Sequence, residues 1–477
     1  MSESDYSFID GEIGLLKAVS LLVGTALGMS IFVVPTQMLA QAGPSIILAV
    51  LISIIPMVFA SLMLLQLGGA VPVAGGVYIY ASRLVGPFWG MISVIIMPLL
   101  TVWAYLLFAA IGFAQYLPIL VNLLPFSLNI PIVVGALALL VFFTFLNYFG
   151  IRIVANAQLL LVAVLLIGIL TFTIGGFVNF DSGNLDPLFP DGEGEPFESG
   201  YAPFLLAVVL LYIPFQGFSM IIELGEEMEN PERNVPLALV IGMSLVTVLV
   251  LGLITALIGS VPWEQAINPE TGEPVEGGLA AVMMDTLPGW SIGLIAVGAL
   301  VAAATTVNSM ITSFSRTLMA AARDGILPKK ISEIHEKHDT PTKAILLIGI
   351  PPILAAPFHQ VFNNWLTVQL LDWLVVIVVS GIFISFIITA VALWKLPTKY
   401  PEMYQNSRHK IPEPALKIIA AANITISLIF MGMVARTAPS ALVFLLATTI
   451  VGAAIYEIQT RRNQTKQEIQ QKMQNLQ

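Results

Sequence analysis

Two short stretches place glycine and proline inside otherwise apolar runs. The first is Val23-Gly24-Thr25-Ala26-Leu27-Gly28-Met29-Ser30-Ile31-Phe32, followed by Pro35; the second is Tyr212-Ile213-Pro214-Phe215-Gln216-Gly217-Phe218. Glycine adopts backbone angles that other residues avoid, and proline lacks an N–H and crowds the preceding turn, so both stretches are expected to unwind a helix. Unwound backbone has chemistry to offer. A helix that restarts presents N–H groups and the positive end of its dipole to an anion such as a carboxylate. Carbonyls freed on the other side of a break suit an ammonium or a small cation. A zwitterionic α-amino acid carries both groups, so paired breaks fit its main chain without a charged side chain. Taken singly, either stretch also reads as a packing kink.

Other chemistry is scarce. The chain has no cysteine, so it offers no disulfide or thiolate, and its four histidines (His335, His338, His359, His409) fall in or beside loops. Phosphate loops, paired metal-binding histidines and nucleophile elbows are absent from the sequence. Glu223 lies just beyond the second stretch. A carboxylate in an apolar span is costly and is by default a functional candidate, here a proton-coupling acid. The plainer reading places it near the interface, pairing with Arg233 or Arg316 alongside Glu226 and Glu227. Asp372 and the acidic loops read as solvated groups.

Composition dictates which elements must position these groups. Of 477 residues, 57% are apolar and 10% charged, too few charges to cover a water-soluble fold. Lys and Arg number 20 against 29 Asp and Glu, so no basic footprint exists for a nucleic acid. These observations exclude a soluble enzyme and point to an all-α polytopic membrane protein, without cofactor or resident metal, whose partners are the lipid bilayer and a small molecule. Runs long enough to cross a ~30 Å hydrocarbon core lie near 15–40, 44–68, 87–116, 130–149, 152–177, 201–225, 236–261, 288–316, 342–358, 366–394, 414–434 and 439–458, twelve transmembrane helices in all. The N-terminus lacks a basic n-region and a cleavage site and reads as a retained tail. With both termini cytoplasmic, every Lys and Arg except Arg436 lies at or near the inner face, as the positive-inside rule requires.

The resulting organisation is a cytoplasmic N-terminal tail (1–14), a first five-helix repeat (15–177) and an acidic outer loop (178–200). A second five-helix repeat (201–394), an inner loop (395–413), two peripheral helices (414–460) and a cytoplasmic C-terminal tail (461–477) follow. The breaks open spans one and six, corresponding positions of two halves that enter from opposite sides. Such paired interruptions are the best sequence pointer to a transporter binding site.

Three motifs carry a resemblance over essentially the full length. They are Gly28-Met29-Ser30-Ile31-Phe32, Glu226-Glu227-Met228-Glu229-Asn230-Pro231-Glu232-Arg233-Asn234-Val235-Pro236, and Ser315-Arg316 with Ala322-Arg323-Asp324-Gly325-Ile326-Leu327-Pro328 and Thr340-Pro341. In this order they resemble the amino acid–polyamine–organocation superfamily of transporters. The resemblance implies a 5+5 inverted repeat with broken helices 1 and 6 plus two peripheral helices. It also implies a substrate site at Ala26, Gly28, Met29, Ser30, Ile31, Ile213, Phe215, Gln216 and Gly217. In such a site the N–H groups of Met29, Ser30 and Ile31 hold a carboxylate, and the carbonyls of Ala26, Ile213 and Gln216 hold an ammonium. Thr305, Thr306, Asn308 and Ser309 would face the first break, where coupled relatives bind sodium; packing through small polar residues is the competing reading. Asn147 and Gln158, both taken to lie on the fifth span, match positions that bond helices together.

Departures from the family pattern are also specific. Met29 and Ser30 replace Ser and Gly, which is expected to crowd the carboxylate. Ile213 stands where a gating aromatic is common, and Ser219 where several antiporters carry an acid. Leu165 stands where sodium-independent relatives place a lysine. Trp103 and Tyr105 are candidate walls of the pocket. The expected activity is secondary-active transport of neutral amino acids by alternating access at the plasma membrane, coupled to protons or sodium or run as exchange. A polyamine or organic-cation carrier of the same fold is the alternative. A channel would need a filter-like repeat and a membrane enzyme a catalytic constellation, and the sequence shows neither.

Overall fold

The computed structural model describes residues 13–71, 75–122, 130–190, 201–219, 221, 228–270, 272, 274, 275, 277–366, 369–407 and 410–462. Runs this apolar can satisfy their own N–H and C=O groups in a bilayer only as helices or closed barrels, and here they form helices. The chain runs through α1 (Leu15–Leu27), α2 (Ser30–Ala42), α3 (Ile46–Ala70), α4 (Gly76–Tyr80), α5 (Pro87–Val94) and α6 (Val102–Val121). It continues through α7 (Ile132–Tyr148), α8 (Ile151–Val178), α9 (Tyr201–Leu210), α10 (Pro231–Ser260), α11 (Gly278–Val282) and α12 (Gly289–Arg323). The last six are α13 (Thr342–Ala355), α14 (His359–Trp365), α15 (Leu370–Lys399), α16 (Pro401–Asn406), α17 (Glu413–Val434) and α18 (Pro439–Arg462). π-Helical turns at Ala81–Val85 and Ile95–Thr101 join neighbours, and a 3-10 turn, Ile213–Ser219, follows α9.

Among the described residues, eight helical stretches are long and apolar enough to cross a membrane, and three shorter apolar helices accompany them. The protein is therefore a multi-pass membrane protein. Its first stretch, Leu15–Ala70, is 56 residues long and joins the first two expected spans. Within it, α1, α2 and α3 are separate helices.

One helix organises the interior. Every residue of α12 from Ala302 to Ala322 is buried, and the helix packs on α8, α6, α1, α13 and α7. It also runs to Arg323, beyond the expected end near 316. Lipid tails are as apolar as leucine, so helices associate in a membrane through close packing and polar bonds rather than by hiding from water. The α8–α12 crossing shows this: a Cβ on Gly168 would sit 2.7 Å from the Gly298 Cα. The two backbones touch.

At the end of the bundle where α12 stops, a buried ionic cluster staples three elements. Arg83 Nη2 donates to Asp324 Oδ1 at 2.8 Å and lies 2.6 Å from Oδ2. Tyr78 donates to Asp324 Oδ2 at 2.6 Å, and the Tyr400 hydroxyl donates to the Arg83 carbonyl at 3.1 Å. Burial, reinforced by the Asp324 carboxylate, holds the Tyr78 phenol well above its ordinary value, so it remains a donor at any physiological pH.

Two outcomes follow for stability. Gly168→Val forces the α8–α12 crossing apart and is expected to cost about 3 kcal/mol or more. That cost reads as a lower melting temperature in detergent, whereas Gly432→Ala, whose Cβ meets nothing within 4 Å, leaves the temperature unchanged. Asp324→Leu leaves the Arg83 charge buried beside an apolar group, an expected loss of about 3–5 kcal/mol. Adding Arg83→Met should restore most of that loss in a double-mutant cycle.

Candidate functional site

The first expected break is present between α1 and α2. Gly28 has φ 31° and ψ −164°, a conformation that only glycine adopts cheaply, and its N–H still closes the last turn of α1 on Gly24 O at 3.1 Å. The following N–H, of Met29, turns away from α1 and donates to Thr306 Oγ1 of α12 at 3.4 Å. Ser30 and Ile31 then open α2, where the first N–H groups of a helix have no acceptor inside it. Ala26, Gly28, Met29, Ser30 and Ile31 are all buried.

The second break lies against the first. After α9, Leu211 and Tyr212 form a turn and Ile213–Ser219 winds as a tight 3-10 segment containing Pro214. Gly217 is seated on α1: a Cβ there would lie 2.5 Å from Ala26 N and 2.8 Å from Ala26 Cβ, and would overlap Leu22 O. Ile213, Phe215 and Gln216 are buried around it. Aromatic side chains hold the segment's outer face. Tyr212 stacks on Phe383 of α15 with ring centroids 5.4 Å apart, and Phe218 stacks on Phe386 at 6.0 Å.

The hydroxyls of α12 reach the first break. Thr305 Oγ1 shares its proton between Gly24 O at 2.8 Å and Ala302 O at 2.7 Å. Thr306 Oγ1 donates to Ala302 O at 3.0 Å while accepting from Met29 N. Ser309 Oγ is buried without a hydrogen-bond partner. Asn308 points elsewhere, donating to Gln158 Oε1 at 2.9 Å and accepting from Asn147 Nδ2 at 3.2 Å. Thr312 Oγ1 donates to Asn147 Oδ1 at 2.7 Å, which completes a polar chain across three helices. Asn147 closes α7 and Gln158 lies on α8, so the expectation that both share one span is corrected. Interhelical bonds in membranes average about 0.6 kcal/mol each; this chain sets register more than stability.

Three further placements refine the sequence reading. The Met29 side chain lies over Gly112 of α6, where a Cβ would meet Met29 Cε at 2.9 Å. Trp103 turns outward to donate to Leu347 O at 3.1 Å, whereas Tyr105 lines an internal cavity with Gln216 and Thr101. Leu165 is fully buried on α8. Thr101 and the π-helical turn that carries it were not anticipated, since a lone threonine in an apolar run has no distinguishing pattern. Glu223, Glu226 and Glu227 lie outside the described residues. Among the described residues, no group of three or more His, Cys, Asp or Glu side chains could hold a metal ion.

Gly217→Ala tests the contact between the breaks. Its Cβ has no room against α1 backbone, so the expected result is loss of substrate binding together with a lowered melting temperature. Thr306→Val removes the acceptor of Met29 N–H and is expected to reduce binding with a smaller thermal shift, about 1–3 kcal/mol for a buried donor left unmet.

A sequence model of a family described as amino acid permease matches residues 13–455. The branched-chain amino acid permease BcaP of Bacillus subtilis (strain 168) is 25% identical and covers 82% of this chain and 82% of its own. The methylthioribose transporter of the same organism is 24% identical over 84% of each chain. Its serine/threonine exchanger SteT is 27% identical over 70% of this chain and 74% of its own. Among solved structures, a Na+-coupled sialic acid symporter in a substrate-bound, outward-open state has a TM-score of 0.55. It covers 89% of this chain and 91% of its own at 14% identity, a likeness of fold alone.

Proposed function

The chain belongs to the amino acid permease family, within the amino acid–polyamine–organocation superfamily, and on that premise we propose that it carries neutral amino acids across the plasma membrane by alternating access. The observation that carries this reading is the pair of interrupted helices packed on each other at Gly217 in the buried interior. Broken backbone at membrane depth survives where it lines a protein cavity, and a half-helix start attracts a carboxylate. In this reading Ser30 and Ile31 supply the carboxylate donors. Met29 N–H is spent on Thr306, and the carbonyls of Ala26, Ile213 and Gln216 take the ammonium. The substrates named for two of the relatives, branched-chain amino acids and serine or threonine, support a neutral substrate.

The same reading assigns twelve spans, residues 15–177 and 201–394 as inverted repeats, 414–460 as peripheral helices, and both termini to the cytoplasm. It is supported by the eight long stretches, by the division of Leu15–Ala70 into separate helices, and by the three shorter apolar helices. The transport cycle rocks one set of helices against the other around the fixed site. Coupling is assigned to Thr305, Thr306 and Ser309 for sodium or to Glu223 for a proton, with exchange as the uncoupled mode. A sodium ion beside Gly24 O would have to draw Thr305 off that carbonyl.

Uptake by the purified protein in liposomes is the test, with labelled neutral amino acids and putrescine under imposed proton or sodium gradients. Saturable uptake of a neutral amino acid that is lost in Gly217→Ala is the expected result. Residual uptake in Thr306→Val that no longer responds to a sodium gradient identifies the α12 hydroxyls as the coupling site, and proton-driven uptake lost in Glu223→Gln identifies the carboxylate. Uptake of putrescine alone overturns the zwitterion assignment.

A further inference from the structure

Next to the paired breaks lies a narrow internal cavity lined by Thr101, Tyr105 and Gln216 together with Met97, Met310 and Phe314. It has room for about one water molecule. Its polar lining is out of keeping with its surroundings. Thr101 and Tyr105 are each 1% exposed, and neither hydroxyl has a hydrogen-bond partner. Buried polar atoms in a folded protein are nearly always paired, so two orphaned hydroxyls on one cavity require an explanation. Gln216, 8% exposed, brings an amide to the same wall.

Two of the lining residues adjoin the main-chain anchors. The Tyr105 hydroxyl sits beside the Ser30 hydroxyl at the start of α2, and Gln216 belongs to the 3-10 segment, where its side chain sits beside the Tyr212 hydroxyl. A side chain leaving an α-carbon held between these two elements would enter this space. Methionine and phenylalanine close the remaining sides and limit its length.

We infer that this cavity is the substrate's side-chain subsite and is built for a short hydroxyl-bearing side chain, so that threonine or serine is taken in preference to an apolar amino acid of the same shape. This inference rests on the transport reading above. A substrate hydroxyl is the size of one water and can both donate and accept, which satisfies Thr101 and Tyr105 together. A methyl group in its place leaves both unmet. Sites that hydrogen-bond a substrate hydroxyl reject the analogue lacking it strongly, whereas apolar pockets discriminate weakly.

The test uses the purified full chain in liposomes with two isosteric pairs, threonine against valine and serine against alanine. Threonine is expected to bind at least about tenfold more tightly than valine. Tyr105→Phe and Thr101→Val should each lower threonine affinity about tenfold, bringing the threonine-to-valine ratio towards one at an unchanged melting temperature. If one variant fails to fold, the other carries the same ratio. Equal affinity for threonine and valine, or a ratio untouched in the folded variants, overturns the subsite while leaving amino acid transport intact. Absence of uptake for every amino acid overturns the transport reading and the subsite with it.

Discussion

Backbone that leaves the helical path in the middle of a hydrocarbon layer has no water to bond, and each unmet group there costs several kcal/mol. Much of the interior is organised to meet that cost. The N–H of Met29, orphaned by the turn at Gly28, is met by Thr306, and Gly24 O is met by both Gly28 N–H and Thr305. Thr305 and Thr306 come from α12, which has to lie deep enough to reach the break. Its depth in turn depends on the backbone contact between Gly168 and Gly298, because a side chain at either position would hold α8 away.

The interior of α12 accordingly serves two neighbours with two kinds of polar group. Thr305 and Thr306 turn towards the break, while Asn308 and Thr312 turn towards Asn147 and Gln158. The first set is bonded to backbone. The second is bonded side chain to side chain and fixes how α7, α8 and α12 register. The two sets lie on successive turns of a single helix.

Much of this was legible in the sequence, for identifiable reasons. Helix positions follow from apolar run length, and the two breaks follow from Gly28 and from Pro214 with Gly217, residues whose backbone behaviour is local. Contacts that join distant segments were not legible. Nothing in the sequence pairs Arg83 with Asp324, which are 241 positions apart, and a glycine that permits contact, such as Gly168, looks like any other glycine in a membrane helix. Of two neighbouring aromatics, Trp103 and Tyr105, only the structure shows which faces inward. Met29 and Ser30 were expected to crowd the carboxylate because their sizes are visible in the sequence, whereas the place of the Met29 side chain over Gly112 is not.

The close approach at Gly217 also fixes how the molecule can deform. Backbones in contact cannot slide past one another without opening a void, so α1 and the 3-10 segment behave mechanically as one body, as do α8 and α12 across Gly168 and Gly298. Between these two bodies run the hydroxyl contacts Thr305–Gly24 O and Thr306–Met29 N, each worth about 1 kcal/mol. Any shear between the bodies has to break these single hydrogen bonds and carry Gly24 over Gln158 and Val162 of α8, on which it is closely packed.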